Sequence, residues 1–243
     1  MSERVTRSVV DGVMTVTLNR PDEHNRMDRA MMDAIVAAMD EADGDTSVGA
    51  IILTGAGEYF CAGGRVDGYP QGTLKQRSDY AQAFCNVHDR MGRTAAPIIA
   101  AVTGHCTAGG MSLLSFCDLA VASEDAEFGY PEATHGLFPA LALGVLLPLV
   151  PPKRAFHMLL SGERFSAPEA LRLELVNQVV PKDQVMAAVG RYVASIKRLN
   201  PTAVALGRRA YYAMQPMTPA SRLQYAQTFL TTMLGAEETR PPS

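Results

Sequence analysis

Residues 97–118 read Pro97-Ile98-Ile99-Ala100-Ala101-Val102-Thr103-Gly104-His105-Cys106-Thr107-Ala108-Gly109-Gly110-Met111-Ser112-Leu113-Leu114-Ser115-Phe116-Cys117-Asp118. The apolar run from Ile98 to Val102 has the length and β-branched content of a buried strand, and Gly104 ends it. Two adjacent glycines, Gly109 and Gly110, then open an apolar segment from Met111 to Phe116 that fits a buried helix. Strand, glycine turn and helix start, in that order, leave unpaired backbone N–H groups facing whatever lies in front of them. Glycine lets the backbone approach that object with no Cβ in the way.

A second stretch is built the same way. Ala50 to Thr54 is another buried-strand run, leading into Gly55-Ala56-Gly57-Glu58-Tyr59-Phe60-Cys61-Ala62-Gly63-Gly64-Arg65. Two such exits can each offer one N–H to a single developing oxyanion, and loss of one donor of this kind costs about 2.7–4 kcal/mol of barrier. A third stretch, Phe128-Gly129-Tyr130-Pro131-Glu132 followed by Gly136 and Pro139, sets a carboxylate before an apolar run. Partial desolvation there raises a carboxyl pKa and suits it to proton transfer near neutral pH. A solvated loop glutamate is the plain alternative.

Taken in order, the three stretches resemble the crotonase (enoyl-CoA hydratase/isomerase) superfamily, with its F-x-A-G-x-D, A-A-V-x-G-x-x-x-G-G and F-x-x-P-E-x-x-x-G-x-x-P motifs. The resemblance runs from about Val13 to about Leu230. It implies an α/β fold, a ββα superhelix with a spiral core, and a helical C-terminal trimerisation region. It assigns the oxyanion donors to the backbone N–H groups of Gly64, just after Ala62-Gly63, and of Gly109, and the proton shuttle to Glu132. The Asn19-Arg20-Pro21 to Asn25 loop is similar to the family's N-R-P-x-x-x-N, whose backbone brackets the adenosine end of coenzyme A. The resemblance therefore sets Ala62, Asn25, Arg26 and Arg65 on the substrate side. For Arg26 the plainer alternative is a solvated surface cation.

Departures from the family pattern carry the expected reaction. Two-carboxylate hydratases resemble G-G-x-E, whereas this chain reads Gly109-Gly110-Met111-Ser112. A serine hydroxyl is no base for water at neutral pH on its own, yet it can hold a water or a substrate oxygen, or simply be a small helix-start residue. Members with only the second glutamate resemble isomerases, so the expectation is 3-enoyl-CoA to 2-enoyl-CoA isomerisation through a thioester enolate. Hydration of a 2-enoyl-CoA is the close alternative, and an inactive acyl-CoA-binding or scaffold protein the reading from another class. Arg65 stands where the family often has aspartate, and Asp67 where a basic residue can meet coenzyme A. Ala140-Leu141-Ala142-Leu143 replaces the glycines that usually follow Pro139. The tail from Gly235 to Ser243 replaces the usual terminal helix near the adenine.

Other chemistries find little support. Gly55-x-Gly57 lacks the third glycine and following helix of a dinucleotide loop. His105, Ser112 and Asp118 lack the G-x-S-x-G elbow of a hydrolytic triad, because Leu114 sits where glycine is needed. Of the five histidines, His135 is next to Glu132 with a local loop role expected. No metal-ligand spacing occurs. Coenzyme A is expected as part of the substrate, with no separate cofactor.

Composition fits this reading. A 243-residue chain with 47% hydrophobic and 19% charged residues has the make-up of a globular protein. Its net charge of −3 gives no field for nucleic acid or an anionic membrane, and the absence of a basic stripe argues against the RNA binding of some relatives. The start, Met1-Ser2-Glu3-Arg4, leads into no apolar h-region, so no secretory signal and a cytoplasmic location are expected. Cys61, Cys85, Cys106 and Cys117 form no C-x-x-C pair and are expected as reduced thiols.

The element pattern suggests one domain over 1–243, with a core over about 1–182 and a helical part over about 183–236. Val5–Val10 and Val13–Leu18 form a hairpin around Asp11-Gly12. Asp28 caps a helix with Met31, Ala34, Ile35, Ala38, Met39 and Ala42 on one face, closed by Gly44. Gln71 to Thr94 is polar and helical in its second half. Strands follow over Asp118–Ala122 and Val176–Val180, and alternation with helices points to a largely parallel sheet. Leu137 to Val150 reads as a buried helix. Ser166 and Glu169 cap a helix through Leu173. Asn200-Pro201 and Thr218-Pro219 each set a cap before a helix-starting proline. Leu223, Ala226, Leu230 and Met233 line one face of the last helix, an apolar stripe that needs a partner, which agrees with the trimer, or hexamer of two stacked trimers, that the resemblance implies.

Overall fold

The computed structural model describes residues 3–65, 72–136, 138–146 and 148–235, apart from the His135 side chain. Asp67, the tail beyond Gly235 and the His135 side chain therefore lie outside the described part.

Among the described residues ten strands make two sheets. The larger sheet takes β1 (Val5–Val10), β2 (Val13–Leu18), β3 (Ala50–Gly55), β5 (Ile98–Val102), β7 (Leu119–Ser123) and β10 (Gln178–Val180) in the order β1-β2-β3-β5-β7-β10. Only the β1–β2 hairpin is antiparallel in it. The smaller sheet takes three-residue strands, β4 (Tyr59–Cys61), β6 (His105–Thr107), β8 (Glu127–Gly129) and β9 (Arg164–Ser166), in that order. Each long strand β3, β5 and β7 is thus followed by a short one in the second sheet before the chain turns helical. This strand–strand–helix repeat is the ββα unit that the resemblance implies.

Both faces of the larger sheet are covered, which explains why its strands read as continuous apolar runs and not as alternating ones. Ile51, Leu53, Ile98, Ala100 and Val102 face the main core. Their neighbours Ala50, Ile52, Ile99 and Ala101 face the other way, against Val185, Ala188, Val189 and Val193.

The helices are α1 (Arg29–Gly44), α2 (Leu74–Arg93), α3 (Gly109–Ser115), α4 (Ala140–Leu146), α5 (Pro152–Ser161), α6 (Ala167–Arg172), α7 (Val185–Ile196), α8 (Pro201–Met214) and α9 (Pro219–Gly235). In α1 the Asp28 carboxylate accepts from the Met31 N–H at 2.9 Å. Asn200 caps α8 by accepting from the Ala203 N–H at 3.0 Å, and Ser166 caps α6 by accepting from Glu169.

Several boundaries differ from the sequence expectation, each for a local reason. α2 is helical from Leu74, not only in its second half, because Thr73 and Gln76 form a reciprocal capping box. The strand expected from Asp118 begins one residue later. The Asp118 carboxylate instead accepts from the Ile98 N–H at 2.7 Å and from Arg208. The strand expected from Val176 begins at Gln178, since the Asn177 side chain accepts from the Ala120 N–H at 2.7 Å. The apolar stretch after Gly136 is not a buried helix. It yields only α4, with Leu141 and Phe138 41% and 49% exposed, because Pro139 and Pro148 bound it.

α2 packs on α1 and is tied to it by Arg90, whose guanidinium donates to Asp40, Asp43 and the Met39 carbonyl. α8 is held by Arg208, which pairs with Asp118 and donates to the carbonyls of Met91, Gly92 and Thr94 at the end of α2. These ties set α2 across the glycine exits.

Candidate active site

Both glycine exits leave from the second, smaller sheet. After β4 the chain passes Ala62, whose N–H donates to the His24 carbonyl at 3.0 Å, and reaches Gly64. A parallel bridge to Met27 holds that point: Met27 N–H donates to Gly63 O at 2.7 Å, and Arg65 N–H to Met27 O at 2.9 Å. In a parallel bridge of this kind the N–H of the central residue, Gly64, points away from its partner strand.

After β6 the backbone turns at Ala108, with φ 54° and ψ −131°. That conformation is uncommon for a residue with a Cβ and stores local strain. It aims Gly109, the first residue of α3, toward Gly64. A Cβ on Gly109 would lie 3.3 Å from the Gly64 nitrogen and 2.8 Å from the Phe84 ring. A Cβ on Gly64 would collide with the Tyr80 hydroxyl, and one on Gly110 with the Cys61 carbonyl. The two loops therefore touch backbone to backbone. Among the described residues neither the Gly64 nor the Gly109 N–H donates to a protein acceptor.

Gly64, Tyr80, Phe84, Gly109, Ser112 and Glu132 line one cavity of about 210 Å³, with Phe138 to Ala142 along its remaining side. Glu132 enters on a 3-10 turn, Pro131–His135, which Pro131 starts and Gly136 ends in the left-handed region. Its residue is half-buried and its Oε2 is shielded from solvent. Ser112 is 1% exposed, and its Oγ has no hydrogen-bond partner among the described residues. Glu132 is the single carboxylate among the described lining residues. A carboxylate, two glycine backbones and two hydroxyls, of Ser112 and Tyr80, thus border one largely apolar space.

The remaining sequence-selected residues sit elsewhere. The Asn25 side chain is fully buried. It accepts from Arg20 N–H at 2.8 Å and donates to the carbonyls of Ala56 and Tyr59 at 2.9 and 2.6 Å, so it knits the entry loop to the β3–β4 turn. Ala62, Arg26 and Arg65 do not line the cavity. Arg65 reaches Glu23 at 3.0 Å on the surface. His105 and Asp118 stand apart from Ser112: His105 Nδ1 accepts from Glu127 N–H, and Asp118 pairs with Arg208.

Two aromatic groups escaped the sequence reading. Tyr80 donates to the Met27 carbonyl at 3.1 Å and, with Phe84, forms the α2 wall of the cavity. The signal was available in the apolar spacing Ala83, Phe84, Val87, His88 and Met91, which are the buried positions of α2. Tyr130 stands just before the Glu132 turn, its hydroxyl buried and without a hydrogen-bond partner among the described residues. Burial, with lesser contributions from Cys106 and Glu132, pushes its phenol well above the ordinary range, so it stays protonated. The thiol of Cys61 is likewise inert, pushed to about 12 by burial.

A family model described as enoyl-CoA hydratase/isomerase matches residues 9–240. Enoyl-CoA hydratase EchA19 of Mycobacterium tuberculosis is 35% identical over 195 residues, which is 79% of this chain and 73% of that protein. Mevalonyl-coenzyme A hydratase sidH of Aspergillus fumigatus is 33% identical over 235 residues, covering 92% of this chain and 84% of its own. The crystal structure of an enoyl-CoA hydratase from Mycobacterium smegmatis superposes with a TM-score of 0.93 at 32% identity, covering 97% of this chain and 93% of that one. Sequence and fold agree: the chain is an enzyme of the enoyl-CoA hydratase/isomerase family, within the crotonase superfamily.

Proposed function

We propose that this enzyme isomerises a 3-enoyl-CoA to the 2-enoyl-CoA. The carrying observation is that Glu132 is the single carboxylate among the described residues of the cavity, with Ser112 where a second would stand. The thioester oxygen sits between the Gly64 and Gly109 N–H groups. The Glu132 carboxylate removes a proton from the α-carbon, and the electron pair moves onto the thioester oxygen as a dienolate. That charge develops against two preorganised backbone donors in a mostly apolar cavity, where such donors act more strongly than in water. The enolate then collapses, the double bond shifts to the α,β position, and the Glu132 carboxylic acid returns its proton to the γ-carbon. Coenzyme A enters as part of the substrate, and the step draws on no separate cofactor.

Hydration is the second reading, favoured by the unpartnered Oγ of Ser112. A water held there could add to the β-carbon of a 2-enoyl-CoA while Glu132 handles the protons. Product identification from a panel of 2-enoyl-, 3-enoyl- and 3-hydroxyacyl-CoA thioesters separates the two. Conversion of 3-enoyl-CoA with little 3-hydroxyacyl product supports isomerisation. Efficient hydration replaces it, and acyl-CoA binding with no turnover would revive the binding-protein reading.

The assembly proposed is a homotrimer, or two stacked trimers, joined through the C-terminal helices. It is supported by α9, which buries none of its residues in the single chain.

A further inference from the structure

Two cavities lie on opposite sides of one aromatic wall. The acyl-side cavity of about 210 Å³ has Phe84 in its lining. A separate groove of about 610 Å³, between the end of α2 and α8, is lined by His88, Phe116 and Tyr212, with Arg93 and Arg209. The rings meet in sequence: Phe84 to His88 at 4.7 Å between centroids and His88 to Phe116 at 4.5 Å. Phe84 and His88 are buried, at 4% and 8% exposure. Phe84 faces the acyl side, and His88 and Phe116 face the groove.

His88 serves in this wall as an uncharged ring. Its Nδ1 lies 2.8 Å from the Phe84 carbonyl, which can only accept, so Nδ1 carries the proton. Burial lowers the His88 pKa to about 4, against smaller raising effects of the Phe84 and Ser112 backbones. Nε2 is buried and makes no hydrogen bond among the described residues. Nothing about the ring repels an alkyl chain, yet it blocks the way into the groove.

The acyl-side cavity is small, about 210 Å³ against about 610 Å³ for the groove behind the rings. We propose that the Phe84–His88–Phe116 stack is the end wall of the acyl site, holding this enzyme to short acyl groups. The proposal rests on the reading of the cavity as an acyl-CoA site and adds the substrate class to it. Thinning the wall joins the cavity to the groove and admits longer chains.

The test is calorimetric binding of saturated acyl-CoA thioesters from butanoyl to hexadecanoyl, which the proposed chemistry does not consume. In the wild type each added methylene tightens binding about fourfold while it finds apolar surface. The gain stops short of ten carbons, and decanoyl and longer chains bind at least tenfold more weakly than hexanoyl. In a folded Phe84→Ala/His88→Ala variant the break moves outward and the long-to-short affinity ratio rises at least tenfold. His88→Phe keeps the wall and the wild-type break. A wild-type affinity that rises smoothly to sixteen carbons overturns the proposal whether or not the double variant folds. So does a folded double variant with the wild-type ratio. Failure of every acyl-CoA to bind removes the acyl-CoA reading itself and the end wall with it.

Discussion

Glu132 sits on a short turn whose geometry is set by Pro131 before it and Gly136 after it, so its reach into the cavity depends on backbone and not on a long flexible approach. Glu132→Gln keeps size and hydrogen bonding but cannot accept a proton. Turnover should fall by a factor on the order of 100 or more while acyl-CoA binding persists, the usual scale for a positioned base. Steady-state rates with a parallel binding titration check it, and full activity would make Glu132 structural. His88 gives a second residue-scale expectation. Its pKa is lowered from 6.5 to about 4 in the fold, so above pH 6.5 it is neutral in both states and has no effect. As pH falls below 6.5 the unfolded chain binds a proton that the folded one refuses. Stability is then lost at about 1.4 kcal/mol per pH unit, ~3 kcal/mol in all by pH 4. Urea unfolding at pH 7, 5.5 and 4.5 should show this slope, and His88→Phe should flatten it. The groups facing His88 explain why sequence alone missed it: Phe84 comes from the preceding turn of α2, Ser112 from α3 and Phe116 from the residue that ends α3, and no local pattern joins them. Gly64, Gly109, Ser112 and Glu132 were legible because each lies in a motif of fixed spacing, and the fold does bring these four to one cavity.

At the scale of elements, legibility followed length. The β1–β2 hairpin and α1 were read with their ends because hydrophobic period, turn and cap all agreed. The second sheet was not, since strands of three residues are too short to show any period. Yet those short strands carry both glycine exits, so the site was legible before the layer that holds it. α2 was read only in part because its first turns are polar, and the Thr73-x-x-Gln76 box that starts it went unread. That box now yields an expectation. Thr73→Ala removes the acceptor for the Gln76 N–H, which it meets at 3.3 Å, and should cost about 1 kcal/mol of stability. The lost turn lies one step before Tyr80, so KM for acyl-CoA should rise more than kcat falls. Denaturant midpoints and steady-state kinetics read the two effects, and an unchanged midpoint would mean that tertiary contacts alone hold the helix start.

The whole molecule has an unbalanced surface. Leu223, Leu230 and Leu234 on α9 are 75%, 58% and 74% exposed and, seven and four residues apart, share one face of the helix. A contiguous apolar helix face of this kind needs a cover. Among the described residues α9 packs on α8, and Arg222 donates to the carbonyls of Met214 and Gln215. Helix α8 is fixed by the buried Arg208–Asp118 pair and by Tyr212, which donates to the same carboxylate. A firm α8 carrying an uncovered α9 suits contact between subunits better than a frayed end. Light scattering at micromolar concentration should give three or six times the 26.1 kDa chain mass. Leu223→Asp/Leu230→Asp places charge on that face without touching the glycine exits or Glu132. It should shift the mass toward the single chain and remove the concentration dependence of Tm expected of an assembly that binds only the folded state. If the unmodified protein is a monomer at that concentration, the trimer proposal fails. If the double variant stays fully assembled, the subunits meet through another face and α9 is covered by something else.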